Sequence, residues 1–369
     1  MIGALSTSLQ VALCALVALR PPRPRHSEPW NLQFMLGFLI NEQPFLGLWW
    51  LLSGTTAAWL GPEFTDPLWW LAAGVCVLAA LELALIASRA RSARPVLSAA
   101  LEDAFGAGAA PRRTRPSWWR TVLLPFIAWR PDVRRIPNLR YGPARRGHRL
   151  DVYISRRTRR TDAPVLVYLH GGGFRMGSKL LGSRSLIYRL AARGWVCVSA
   201  DYRLLRAGYA EQLADTRAVL AWVNANAATY GGSSDTVFVA GGSAGAHLAA
   251  TVALSGAEVS GVIALYGYYG DAERPGPEPT SPHAYVHAAA PPFLIVHGAL
   301  DTLVRREDAR LFAERLRAAS RQPVAYAELP GTQHNFDQFH SLRFHSVTDA
   351  VIRFAELTAG AGSVEGPEQ

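Results

Sequence analysis

The chain of 369 residues has almost no lysine and little cysteine. Lys179 is its single lysine among 38 basic residues, and Cys14, Cys76 and Cys197 are its only cysteines. Three scattered cysteines without a C-x-x-C spacing exclude a disulfide framework and a thiolate metal site. Two of them lie in apolar segments and the third in a strand-like run, so they read as buried bystanders. The first ninety residues are nearly free of charge, unlike the Arg-rich, periodic remainder, which looks like a soluble enzyme. Between Arg89 and Arg160, by contrast, eighteen arginines face only Glu102, Asp103, Asp132 and Asp151. A basic excess of this kind fits nucleic acid or an anionic membrane surface. No recognition helix, RNA-binding sheet motif or zinc finger accompanies it, which argues against nucleic acid. Its place directly after the apolar region favours a membrane-facing role, with a solvated linker as the alternative.

The apolar region divides into three stretches. Ile2 to Leu19 has no basic residue before it and Arg20, Arg23 and Arg25 after it, opposite to a signal peptide. The second runs from about Phe34 to Leu60 and is broken by Asn41, Glu42, Gln43 and Pro44. The third, Pro67 to Ala87, carries only Glu82, a charge that in a membrane faces a partner helix or a cavity. The loop from Gly61 to Asp66 carries Glu63 and Asp66 and no base. The positive-inside rule then predicts an outer N-terminus, an outer acidic loop, and everything after Arg89 in the cytoplasm. The segment from Pro116 to Arg135 mixes three tryptophans with arginines, as interfacial segments do; a cap over the following domain is the alternative.

From Arg149 the pattern turns to short β-rich runs alternating with amphipathic helices, which predicts a mostly parallel, doubly wound α/β sheet. Such sheets place function at the carboxyl ends of their strands, and four of those ends carry reactive groups. After Thr236–Ala240 comes Gly241-Gly242-Ser243-Ala244-Gly245, the G-x-S-x-G pattern of a strand–turn–helix elbow. A serine on so sharp a turn needs neighbours without side chains. After Val165–Leu169 comes His170-Gly171-Gly172-Gly173-Phe174. After Pro292–Gly298 comes Asp301, and after Pro323–Leu329 comes His334. In this arrangement Ser243 is the nucleophile, His334 its base, and Asp301 the acid that orients the imidazole. The N–H groups of Gly172, Gly173 and Ala244 form the oxyanion hole, supported by His170, Gly171, Gly241 and Gly245. Asp201 is the alternative acid, but it precedes the serine. His247, His297, His340 and His345 read as structural. Phe174, Tyr202 and the Trp118/Trp119 region line either the acyl side or the core.

Leu150–Tyr153, His170–Phe174, Asp201–Arg203, Gly241–Gly245, Asp301 and His334 together resemble the α/β-hydrolase carboxylesterases and lipases of the hormone-sensitive-lipase-like family, of the membrane-anchored actinobacterial type. The resemblance covers Arg149 to about Leu357. It implies a serine–aspartate–histidine mechanism on carboxylic esters, with no metal and no organic cofactor. Gly242 stands where that family has an aspartate, Ala246 replaces a glycine, and no proline follows Asp201-Tyr202-Arg203-Leu204. Gly241–Leu248 is also similar to kynurenine-formamidase and feruloyl-esterase relatives, so ester against amide stays open.

The expectations are therefore an α/β-hydrolase domain preceded by an all-α transmembrane region. Residues 1–90 form an anchor of two or three spans, and 91–148 an Arg/Trp-rich linker, cap or interfacial segment. Residues 149–358 form the catalytic domain and 359–369 a disordered tail. The partners are a small-molecule or lipid ester and membrane lipid, with the protein integral to a bacterial plasma membrane. The alternatives are an N-formyl-aromatic amide hydrolase or a hydrolase fold used only for binding.

Overall fold

The computed structural model describes residues 2–21, 32–59, 66–144, 147–158, 160–205, 207–272 and 278–359. Arg23, Arg25, Glu63 and the tail from 360 to 369, on which parts of the topology and disorder expectations rest, lie outside the described residues.

Four apolar helices come first: α1 (Ile2–Leu19), α2 (Leu32–Glu42), α3 (Pro44–Trp59) and α4 (Pro67–Arg91). Asp66 caps α4 by accepting from Leu68 N at 2.9 Å, and Pro67 follows at the position where a missing N–H costs nothing. Val11, Ala15, Leu51, Ala79, Leu83 and Ile86 form the core of this bundle. Ile2–Leu19 and the helical run Pro67–Phe105 are long and apolar enough to cross a membrane by length and composition.

The remainder consists of α5 (Ala93–Phe105), α6 (Trp118–Leu123), β1 (Val133–Arg140), β2 (Arg149–Ser155), β3 (Ala163–Leu169), α7 (Arg184–Ala192) and β4 (Val196–Ala200). Then follow α8 (Tyr209–Asn226), β5 (Gly232–Gly242), α9 (Ala244–Leu254), β6 (Gly261–Leu265), β7 (Phe293–Gly298), α10 (Arg306–Ala319), β8 (Val324–Leu329) and α11 (Leu342–Thr358). The eight strands lie in the order β1-β2-β4-β3-β5-β6-β7-β8. β2 is antiparallel to both β1 and β4, and every other neighbouring pair is parallel.

Burial on both faces explains why the central strands read as unbroken apolar runs. Along β3, Val165, Val167 and Leu169 enter one core with α8, α9 and α10. Leu166 and Tyr168 enter the opposite core with α5, α7 and α11. Successive side chains of a strand point to opposite faces, so one strand serves both layers.

Residues 91–148, expected as linker or cap, contribute a helix and a strand to this domain. α5 buries Leu97 and Leu101 in the same core as α11, and β1 forms the edge of the sheet. β1 escapes a sequence pattern because Val133–Arg140 contains three arginines, a proline and an asparagine. Its pairing with β2 shifts between Ile136 and Leu139, around Pro137 and around Asn138 at φ 61. Proline and such bulges are tolerated at an edge, where one side of the strand needs no partner.

β5, β3 and α9 approach one another too closely for a side chain at either of two glycines. A Cβ on Gly245 would come within 2.1 Å of Leu169 O, and one on Gly241 within 2.3 Å of the Gly245 carbonyl carbon. Gly245→Ala is expected to destabilise by about 1–3 kcal/mol of overpacking, lowering the thermal midpoint by roughly 3–10 °C. Gly74→Ala, whose Cβ meets nothing within 4 Å, should not lower it. A Gly245→Ala protein melting with the wild type would contradict this packing.

Candidate active site

Ser243 occupies the turn between β5 and α9 at φ 53 and ψ −119. This is left-handed backbone for a residue with a Cβ, held because the surroundings over-determine it. Ser243 N donates to Leu265 O at 3.0 Å, and Ser243 O accepts from His247 N at 3.1 Å. Gly242 is required by Tyr266, whose hydroxyl would lie 2.2 Å from a Cβ there. Gly171 passes directly over the turn, with a Cβ placed 3.2 Å from that of Ser243.

Asp301 and His334 meet as the sequence order predicts. His334 Nδ1–H donates to Asp301 Oδ2 at 2.7 Å, and both side chains are buried. The other carboxylate oxygen accepts from Leu303 N at 2.9 Å and Val304 N at 2.8 Å. Burial alone would raise the Asp301 carboxyl; the imidazoles of His334 and His297 outweigh it and hold the group below the usual carboxylate range. Gln333 staples the two loops: its Oε1 accepts from Thr302 N at 2.8 Å and from His334 N at 3.0 Å.

The glycine loop follows directly on the carboxyl end of β3. Gly172 and Gly173 have φ 129 and φ 59, and Gly172 O accepts from Arg175 N and Met176 N, both at 3.1 Å. Among the described residues the N–H groups of Gly172, Gly173 and Ala244 have no protein acceptor, and Ala244 opens α9, where the first amides of a helix are free. His170 is buried and stacked on Tyr202 at 4.4 Å, with its Nδ1 against Gly171 O at 2.8 Å. Tyr202 OH donates to His170 O at 2.8 Å. Phe174 packs edge-on to Tyr209 and His247, and its carbonyl accepts from Gln212. Tyr202 and Phe174 therefore brace the glycine loop, whereas Trp118 and Trp119 are exposed.

Asp201, the alternative acid, is engaged elsewhere. It accepts from Lys179 N at 2.7 Å and Lys179 Nζ at 3.0 Å, which ties down the far end of the glycine loop. His247 lies behind the turn between the carbonyls of Tyr268 and Thr280, and burial pushes it down to about 4. His340 contacts Ile127 O, and His345 contacts Thr114. His297 was expected to be structural, yet its Nε2 reaches Asp301 Oδ2 at 3.3 Å. A histidine at the end of strand β7 carries no distinguishing sequence signal; only the fold brings it to the acid. Sequence also passed over Tyr266, whose ring packs 4.6 Å from that of His334, and Asp337, which is buried beneath it. Among the described residues no cluster of three or more His, Cys, Asp or Glu could hold a metal ion.

A weak nucleophile on a strained turn, an imidazole oriented by a carboxylate and three amides with no protein acceptor among the described residues are the groups acyl transfer uses. The BD-FAE family model matches residues 150–269. The chain is 32% identical to the probable carboxylic ester hydrolase LipM of Mycobacterium tuberculosis, over 99% of this chain and 96% of that protein. It is 32% identical to the esterase LipQ of the same organism, over 73% and 76%. Among solved structures, the apo form of Thermogutta terrifontis esterase 2 shares its fold at a TM-score of 0.55, with 24% identity over 64% of this chain and 97% of that one.

The depressed Asp301 fixes a pH dependence. Its folded value lies below its unfolded value of about 4, so its contribution to stability is present above that pH and is lost as pH falls through the lower folded value. In Asp301→Asn the loss of stability between about pH 5 and pH 2 should therefore be shallower than in wild type. Parallel pH–stability curves would contradict the depressed carboxyl.

Proposed function

The chain belongs to the carboxylic ester hydrolases of the α/β-hydrolase fold, and on that premise we propose that it works through an acyl-enzyme on Ser243. Ser243 Oγ attacks the ester carbonyl while His334 Nε2 takes its proton. The Nδ1–H of His334 stays on Asp301, which fixes the tautomer and offsets the imidazolium charge. The carbonyl oxygen, now an oxyanion, accepts from Gly172, Gly173 and Ala244 N–H. Collapse breaks the C–O bond, and the leaving alkoxide takes the proton back from His334. Water then attacks the acyl-enzyme with the same base, and the acid departs. The observation that carries this reading is the 2.7 Å bond between His334 and Asp301, at the same edge of the sheet as the strained serine.

The enzyme is a membrane-anchored one, with α1, α3 and α4 as spans and the catalytic domain in the cytoplasm. Leu13, Leu16, Trp70, Leu71, Leu78 and Leu81 present large apolar side chains on the outside of the bundle, which water would penalise and lipid would not. Arg89 donates to Leu19 O at 3.2 Å and packs against Gly331, so the arginine-bearing ends of α1 and α4 support a catalytic domain on the positively charged side. The segment from Trp118 to Trp129 extends this surface: Trp118, Trp119, Leu123, Phe126, Ile127 and Trp129 are all exposed. Trp49 Nε1 donates to Val122 O at 3.3 Å, which puts this belt beside α3 and supports a headgroup-level position for its tryptophans and arginines. An ester with a long apolar acyl or alkyl group, delivered from the bilayer, is the substrate that suits such surroundings.

Membrane-embedded wild type should hydrolyse p-nitrophenyl esters with an optimum at medium or long acyl chains. Ser243→Ala should lose about 10⁴-fold or more in kcat, and Asp301→Asn about 10⁴-fold, without unfolding. Ester hydrolysis unchanged in Ser243→Ala would sink the mechanism, and N-formyl aromatic amides outcompeting every ester would move the substrate to amides.

A further inference from the structure

We propose that the N-terminal bundle is part of the catalytic apparatus: Glu42, the last residue of α2, and Arg343, at the head of α11, are positioning residues for His334. The role of His334 rests on the esterase reading above; the clamp itself rests on the geometry that follows.

His334 lies in a stretch from Pro330 to Ser341 without regular structure. The backbone of this stretch is tied to neighbouring segments at two points, by Leu300 N donating to Thr332 O and His340 N donating to Pro125 O, both at 2.9 Å, and side chains must hold the rest. Arg343, fully buried, supplies the tie. Its Nη2 donates to Gly331 O at 3.0 Å, across twelve residues, closing the loop at its base. Its Nη1 donates to the Glu42 carboxylate and to Asn41 O at 3.3 Å. The second oxygen of Glu42 accepts from Ser341 Oγ at 3.2 Å, and Gln43 Nε2 donates to His340 O at 2.8 Å. Glu42 and Gln43 thus grip the end of this loop directly, and Asn41 reaches it through Arg343. A buried guanidinium needs a counter-charge, and Glu42 provides it: one carboxylate oxygen takes Arg343 Nη1 and the other takes Ser341 Oγ.

From this clamp the loop is registered against the serine. Asp337, also buried, accepts from Tyr168 OH at 3.0 Å, from Ser183 Oγ at 2.6 Å and from Tyr266 OH. Tyr266 packs on the His334 ring on one side and fills the space over Gly242 on the other. Arg343 and Glu42 therefore fix the base of the loop, and Asp337 and Tyr266 fix its middle against the Ser243 turn. The histidine is the element between them. Displacing a reacting group by about 1 Å costs on the order of a hundredfold in rate, so a loosened base should be read in kcat.

The test uses the full chain in phosphatidylcholine nanodiscs. Glu42→Gln should lower kcat on a p-nitrophenyl ester by about tenfold or more with KM within about twofold. Deuterium exchange should rise in peptides covering 331–341 and stay unchanged in β5 and α9. The double variant Glu42→Leu with Arg343→Met removes the buried charges together and should recover the thermal midpoint lost in Glu42→Gln. Its kcat should stay low, because without Arg343 the carbonyl of Gly331 has no donor; a merely structural pair would recover both. Wild-type kcat in the double variant, or wild-type exchange in Glu42→Gln, overturns the clamp. If wild type cleaves no ester, the esterase reading fails instead, and the exchange experiment alone still decides whether the bundle holds this loop.

Discussion

Everything at the carboxyl edge of the sheet depends on one steric constraint, the closeness of β5, β3 and α9 around Ser243. Gly245 has no room for a side chain because Leu169 O and His170 O fill the space, and Gly241 has none because α9 turns back onto it. That closeness forces Ser243 to φ 53, which lifts its side chain clear of the strand. The same closeness brings the residues after β3 over the turn, so the amides of Gly172 and Gly173 share the serine's surroundings. Small residues here act as absence of volume, and the strained serine is what that absence is for.

Around this point three loops from three strands converge, and each is held by a polar side chain with no chemistry of its own. Asp201 and Lys179 hold the glycine loop, Gln333 joins the acid loop to the histidine loop, and Arg343 closes the histidine loop. A parallel sheet aligns strand ends to a few ångströms, but a proton transfer needs finer placement than that. The polar staples supply it. The Asp301 carboxylate shows the economy of the arrangement: two backbone amides take one oxygen, two imidazoles the other, and no lone pair faces apolar surroundings unmet.

How much of this was legible follows from the distance over which each signal acts. The elbow, the glycine loop and the buried strands are local patterns, and β2 to β8 appear where apolar runs predict them. β1 was missed because an edge strand accepts arginine and proline, which erase the alternation. Asp301 and His334 were legible because the strands that end before them are legible. His297 was not, since a histidine inside an apolar strand looks the same whether it meets an acid or a carbonyl. The break at Asn41, Glu42 and Gln43 was visible as polar residues in an apolar stretch, but their partners lie about three hundred residues along the chain. A sequence shows that a buried polar group must be satisfied, and only the fold shows by what.

Lys179 is the one ε-amine of the chain, and it is shut in by Asp201, Asn138 and Asp151 beneath the glycine loop. The folded protein consequently offers amine-directed reagents little beyond its N-terminus, however many cations its surface carries. Guanidinium groups keep the surface positive while withholding the nucleophile that acylating agents and aldehydes seek. The single amine that could compete for acyl groups is thereby held in an ion-paired, nearly buried position.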